Sequence, residues 1–231
     1  IFKKINKIPD EYSFENTFQL EKEMVEGNGT GYREFLVPGV AAMAIMQGGI
    51  FGVVFSLIRF KTGGVLRRLK ATPIGPSHFL VGQISTRLIV TVLQTYVLLL
   101  VGLFVLGASV GNGSFINWVD ITILALFGGA LFNAMGLAVS GWANTEDVAA
   151  PVANIIALPM MFLSGVFFPL SILPGWLAKI SEYFPLTYLA DGMRRITVEG
   201  ASVFSLGSDL IGLAVWTVII FLLATRMFKW E

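Results

Sequence analysis

The chain has 231 residues, 55% hydrophobic and only 13% charged, with a net charge of +1, one histidine and no cysteine. Soluble domains carry about 25% charged residues, so this composition excludes an ordinary soluble fold, and the absence of cysteine excludes disulfides and thiolate metal sites. A net charge near zero says little about partners, because the distribution of charge holds that information.

Residues Ile1 to Glu34 hold five basic and seven acidic side chains and end in the Gly/Asn/Thr-rich run "EGNGTGYRE". They read as the end of an extracytoplasmic domain (1–34) feeding a membrane domain (35–231). Uncharged runs then follow at Phe35–Ile58, Leu88–Val119, Ile121–Thr145, Val148–Ala178 and Leu210–Thr225. About 20 apolar residues cross a ~30 Å hydrocarbon core, so the expected fold is an all-α polytopic membrane protein with five transmembrane helices. The last span reaches full length if it starts at Phe204 with Asp209 near the interface.

Between the first two spans, Arg59, Lys61, Arg67, Arg68 and Lys70 occur without an acid, whereas the loop Gly107 to Trp118 carries no charge. Basic loops stay in the cytoplasm. That orientation puts the N-terminal segment, Gly107–Trp118 and Pro169–Val203 outside, and Asn144–Asp147 and the tail "RMFKWE" inside. An odd number of spans with an outside N-terminus calls for one more span upstream, giving six with both true termini in the cytoplasm. Asn117 and Asp120 predict an N-cap and a first-turn acid for the third span, with Ser208 and Asp209 a weaker version at the last.

In "GGVLRRLKATPIGPSHF", Val65, Leu66 and Leu69 fall near one helical face and Arg67, Arg68 and Lys70 largely on the other; Gly63 and Gly64 precede them and Pro73 and Pro76 follow. The pattern predicts a short amphipathic helix. Two uses fit it: an interfacial helix beside anionic lipid headgroups, or a knob docking on a cytoplasmic protein. Beyond it, Arg87 lies near the boundary, where its side chain can snorkel, and His78 is a solvated interfacial residue. Glu146 and Asp147 are the only acids of a short cytoplasmic turn and suit a helix N-terminus or a second cytoplasmic contact.

The run "GGALFNAMGLAVSG", Gly128 to Gly141, supplies small residues for close helix packing. Asn133 and Asn154 are expected to face the interior, and Met160, Met161, Phe167 and Phe168 to line an apolar, adaptable surface near the outer end of the fourth span. From Ser164 to Gly200, Pro174 and Pro185 each suit a first helical turn. Trp176, Leu177, Ile180 and Phe184 form one apolar stripe and Leu186, Leu189, Met193 and Ile196 another, predicting two short half-inserted external helices before the last span. Asp191, Arg194 and Arg195 are spaced to pair with one another. Leu186, Tyr188 and Leu189 are candidates for an external gate.

The segment "LRRLKATPIGPSHFLVGQI" resembles the stretch after the second span in membrane subunits of the ABC-2 family of ATP-binding-cassette exporters, and "FPLTYLADGMRRI" resembles that family's motif before the last span. The resemblance, to a multidrug or antibiotic-efflux-like branch with an external domain after its first span, implies a six-span permease subunit. It would pair with an identical or different second permease and rest on separate cytoplasmic ATPase subunits, with Val65, Leu66, Arg67, Arg68, Leu69 and Lys70 as the coupling helix. ATP and Mg would be bound by the partner, since this chain contains no G-x-x-x-x-G-K-[ST] phosphate loop; no catalytic, cofactor or metal residues are expected here, and no nucleic-acid partner.

The implied function is outward movement of an amphipathic or lipid-like compound across the cytoplasmic membrane of a prokaryote, with membrane lipid as a further contact. Rival readings are a gradient-driven carrier or channel, whose usual buried acids are not seen in the span cores, and a non-transporting membrane protein that recruits a cytoplasmic partner.

Overall fold

A computed structural model describes residues 31–65, 68, 76–108, 110, 114–143 and 145–227. Leu66, Arg67, Leu69 and Lys70 of the expected coupling helix lie outside the described residues, as does the segment 1–30. The described elements are α1 (Tyr32–Thr62), α2 (Pro76–Phe104), α3 (Phe115–Trp142), α4 (Glu146–Leu163), α5 (Gly175–Ser181), α6 (Pro185–Thr197) and α7 (Gly207–Met227), with 3-10 turns at Leu170–Ile172 and Val203–Leu206. Among the described residues, five helices are long and apolar enough to cross a membrane: Tyr32–Thr62, Val81–Phe104, Phe115–Trp142, Glu146–Leu163 and Val203–Arg226. All five expected spans are therefore present.

The third span is the hub, packing on α1, α2, α4, α6 and α7. Small residues make this possible. A Cβ on Gly136 would sit 2.7 Å from the Ile50 carbonyl oxygen, and one on Gly49 would sit 2.6 Å from Phe132 Cβ, so α1 and α3 touch backbone to backbone where they cross. Tight van der Waals contact of this kind substitutes for the hydrophobic drive that lipid removes. Around the crossing, Ile45, Met46, Ile50, Leu124, Leu131 and Phe132 are fully buried.

Contacts at the two ends of the bundle agree with alternating span directions. At the basic end, the Phe60 and Phe79 rings meet edge to face with centroids 5.3 Å apart, joining the end of α1 to the start of α2. At the opposite end, Arg33 Nη1 donates to the Leu106 carbonyl at 2.9 Å, joining the start of α1 to the chain just beyond α2.

Two expected helix starts move. Ser114, not Asn117, is the N-cap of α3 and makes no side-chain cap bond; Asn117 and Asp120 lie within the helix and are buried. The reason is that Phe115 and Ile116 are 80% and 66% exposed, an apolar first turn that can meet lipid and so extends the helix ahead of the polar pair. Pro174 is the N-cap of α5, one residue before its first turn, whereas Pro185 opens α6 as expected.

Candidate functional site

At the basic end, the last turn of α1 is tied to two other helices. Lys61 Nζ donates to the Ser140 carbonyl at 2.6 Å, engaging the end of α3. Arg59 Nε donates to Glu146 Oε1 at 3.1 Å, engaging the first turn of α4. Glu146 and Asp147 are exposed in that turn, where negative charge suits the positive end of the helix dipole. Glu146 thus meets a basic side chain, that of Arg59 at the end of α1.

Beyond α1 the chain turns at Gly64, whose φ of +67° favours glycine. Arg68 N–H then donates to the Gly64 carbonyl at 3.2 Å, closing a helical turn. Val65 is half-buried and Arg68 exposed. The described part of the basic segment therefore hangs on a helix end that is fastened to both α3 and α4.

At the opposite end, α6 is amphipathic, with a buried apolar face and arginines in its last turn. Leu186, Leu189, Met193 and Ile196 are completely buried, and Leu189 is seated over Gly128 of α3, where an added Cβ would be 2.7 Å away. Leu186 and Leu189 are thus core residues of this chain and do not form an open wall. Tyr188 is half-buried and lies against Gly212 of α7.

On its polar side Arg194 Nη1 bonds Asp191 Oδ1 at 2.7 Å, the expected i, i+3 pair. Arg195 pairs instead with Asp209 at 3.1 Å and Glu199 at 4.0 Å. Asp209, expected as a capping acid, is in the first turn of α7 and holds that helix to α6. In α5, Leu177 is half-buried, while Trp176 and Ile180 are exposed, so only part of its stripe packs inward.

The middle of the bundle sorts the remaining candidates. Asn133 is buried inside α3, and among the described residues neither its Nδ2 nor its Oδ1 has a hydrogen-bond partner. Asn154 is exposed. This corrects its expected inward position: the alanines Ala149, Ala153 and Ala157 recur every fourth residue on the buried face of α4, leaving Asn154 on the outer face with Ile155, Leu158 and Phe162. Met160 is buried against the core, Met161 is half-buried and accepts a 3.8 Å contact from Gln47 Nε2, Phe167 is half-buried and Phe168 is 58% exposed. These four do not form one continuous surface within the chain.

Arg87 is half-buried and donates to Ser56 Oγ of α1, so it turns sideways onto its neighbour and does not simply snorkel. Sequence reasoning passed over Gln47, Ser56 and Gln94, the neutral polar residues along this α1–α2 seam. Their signal was available: Gly48 and Gly52 at i, i+4 mark a close approach, and both glutamines stand inside otherwise apolar runs.

The order of spans, the basic segment after α1 and the amphipathic α6 ahead of α7 make one arrangement, and the profile described as "ABC-2 family transporter protein" matches residues 4–226. The chain belongs to the ABC-2 transporter family. Among similar proteins are the inner membrane transport permease YadH of Escherichia coli K12, 26% identical over 172 residues that cover 72% of this chain and 63% of the relative. The probable doxorubicin resistance ABC transporter permease protein DrrC of Mycobacterium tuberculosis is 28% identical over 184 residues, 79% of this chain and 63% of the relative. The probable multidrug ABC transporter permease YbhR of Escherichia coli K12 is 23% identical over 191 residues, 82% and 49%. The aligned part of this ABC-2 chain thus spans less than two thirds of the length of each.

Proposed function

We propose that this chain is the transmembrane permease part of an ATP-driven exporter of the cytoplasmic membrane. It pairs with a second permease, and a separate ATP-binding-cassette subunit holds the ATP and Mg. Family membership supports the class of machine. The observation that carries the mechanism is the fastening of the α1 end: Lys61 to Ser140 on α3 and Arg59 to Glu146 on α4, directly before the basic segment. A push on Val65–Lys70 would be delivered to three spans together, which is what a coupling helix has to do.

The cargo we infer is amphipathic or lipid-like. The names of DrrC and YbhR refer to doxorubicin resistance and to a multidrug transporter, and the outer face of α4 offers Ile155, Leu158 and Phe162 with Asn154 as the polar side chain among them. Such a surface would hold an apolar body while making few fixed hydrogen bonds. On this reading the face is completed by a second permease copy, and movement is outward.

The test uses the absence of native cysteine. Arg68→Cys in the full-length permease is cross-linked in native membranes, and the captured protein is identified by mass spectrometry. Capture of an ATP-binding-cassette subunit supports the coupling role. Capture of no such subunit, with the cysteine shown to be reachable from the cytoplasm, overturns it.

A further inference from the structure

A cavity of about 440 Å³ opens between α1 and α2 in the basic half of the bundle. Phe51 and Phe55 form an apolar wall, their rings stacked with centroids 6.1 Å apart. Arg87, Ser56 and Arg59 supply the polar side. Arg87 belongs to α2, within the apolar segment Val81–Phe104. A cation on a span calls for a partner of opposite charge or a route to water.

Room for the guanidinium is built into α1. A Cβ on Gly52 would lie 2.8 Å from Arg87 Nη1, and one on Gly48 would lie 3.1 Å from Gln94 Nε2, which donates to the Ala44 carbonyl. The two glycines let both long side chains lie flat on the neighbouring helix. Arg87 Nη2 donates to Ser56 Oγ. Among the described residues no carboxylate is within ion-pair distance of Arg87, while Arg59 at the cavity mouth is already engaged by Glu146. A guanidinium carries five N–H donors in a planar fork suited to the oxygens of a phosphate or carboxylate.

We propose that this cavity binds an anionic phospholipid, its phosphodiester on the free edge of Arg87 and the start of its acyl chain along Phe51 and Phe55. The apolar wall decides between a lipid and a small free anion, since an inorganic phosphate would make no use of the aromatic rings. Lipid also has access, because Val81, Ile89, Val90, Leu93 and Val97 of α2 are exposed on the outside of the bundle. Arg59, more exposed and shared with Glu146, guides the headgroup in, whereas Arg87 anchors it. This site does not depend on the export reading and stands whether or not ATP-driven flux is found.

The experiment is native mass spectrometry of the purified full-length permease in neutral detergent, with dioleoylphosphatidylglycerol, dioleoylphosphatidylcholine or inorganic phosphate added. The expected result is a phosphatidylglycerol adduct about tenfold above the phosphatidylcholine level, a difference of about 1.4 kcal/mol. Arg87→Gln brings it down to the phosphatidylcholine level, and Arg226→Gln, a cation at the end of α7, leaves it unchanged. Equal adducts in the parent protein and Arg87→Gln, equal retention of the two lipids, or inorganic phosphate held as well as the lipid would each overturn the proposal. If Arg87→Gln does not reach the membrane, Phe55→Ala decides: a weaker phosphatidylglycerol adduct supports the site and an unchanged one overturns it.

Discussion

The guanidinium of Arg194 lies over the ring of Phe35, its central carbon 3.9 Å from the ring centroid. The same side chain donates to the Phe35 carbonyl at 3.2 Å, to the Gly165 carbonyl and to Asp191. One residue of α6 therefore binds the start of α1 and the loop after α4, closing the end of the bundle opposite the basic segment. Gly39 lets that loop come near, since a Cβ there would be 2.8 Å from the Val166 carbonyl oxygen.

Removal of this clamp should be costly because it strands two carbonyls and loses a ring contact. Arg194→Leu is expected to lower stability by about 2–4 kcal/mol, from lost charge-assisted hydrogen bonds and a cation–π contact. Arg194→Lys should recover only part, because an ammonium cannot reproduce the planar fork. Asp191→Asn should cost less than about 1 kcal/mol, because the Asp191 side chain is 45% exposed and water screens the pair. Thermal unfolding of the purified full-length permease measures all three, and a larger loss for Asp191→Asn than for Arg194→Leu would assign the clamp to the ion pair.

The α1–α3 crossing makes a sharper steric prediction. Gly136→Ala places a methyl group 2.7 Å from the Ile50 carbonyl oxygen and 2.9 Å from that of Gly49. Backbone cannot yield as a side-chain tip can, so a cost of about 1–3 kcal/mol is expected. Gly82→Ala meets nothing within 4 Å among the described residues and should be neutral or slightly stabilising through helix propensity. Comparison of unfolding midpoints and membrane yields checks the contrast; equal effects would mean the two helices separate easily.

These two cases also mark what the sequence could say. The small residues from Gly128 to Gly141 announced a close crossing by themselves, and Leu186, Leu189, Met193 and Ile196 announced the buried face of α6 because Arg194, Arg195 and Asp191 polarise its other side. Asn154 gave no such cue. A helix apolar on nearly every side has no direction that periodicity can read, and the alanine face of α4 is recognised only once α1 is seen beside it. Arg194 was legible as an i, i+3 partner of Asp191, but its carbonyl acceptors lie 159 and 29 residues away, and every residue has a carbonyl. The start of α3 misled because Asn117 and Asp120 have capping chemistry while the lipid-facing Phe115 and Ile116 carry the helix one turn further.

The contacts at the basic end separate stability from coupling. Arg59 and Glu146 are 73% and 46% exposed, so their bond contributes less than about 1 kcal/mol. Glu146→Gln should leave the unfolding midpoint unchanged. Arg68→Glu, at an exposed position, should also fold normally while reducing ATP-dependent export about tenfold or more, the effect of losing about 1.4 kcal/mol at a docking contact. Paired stability and flux measurements test this; unimpaired flux in Arg68→Glu would remove that arginine from the docking surface.

Orientation can be read with single cysteines, because the chain has none of its own. Asp147→Cys and Glu199→Cys replace exposed residues expected on opposite sides of the membrane. A membrane-impermeant maleimide added to intact cells should label Glu199→Cys and spare Asp147→Cys, and inside-out vesicles should reverse the pattern. Labelling of both from one side would contradict the orientation set by the basic segment.

Asn133 tests whether polarity in the bundle serves folding or transport. Its amide is buried with both polar atoms unpartnered among the described residues, and an unpaired buried polar group costs about 1–3 kcal/mol. Asn133→Leu removes that cost at similar volume, so stability should stay equal or rise. If the amide serves only as a buried filler, export should be unaffected. If it meets cargo or water during the cycle, export should fall while the protein becomes no less stable, and this is the outcome expected here, because a residue that destabilises the resting bundle is useful only in a state where it finds a partner. Flux and unfolding measured on the same preparation decide the matter; a loss of stability in Asn133→Leu would show instead that the amide is satisfied in the folded protein.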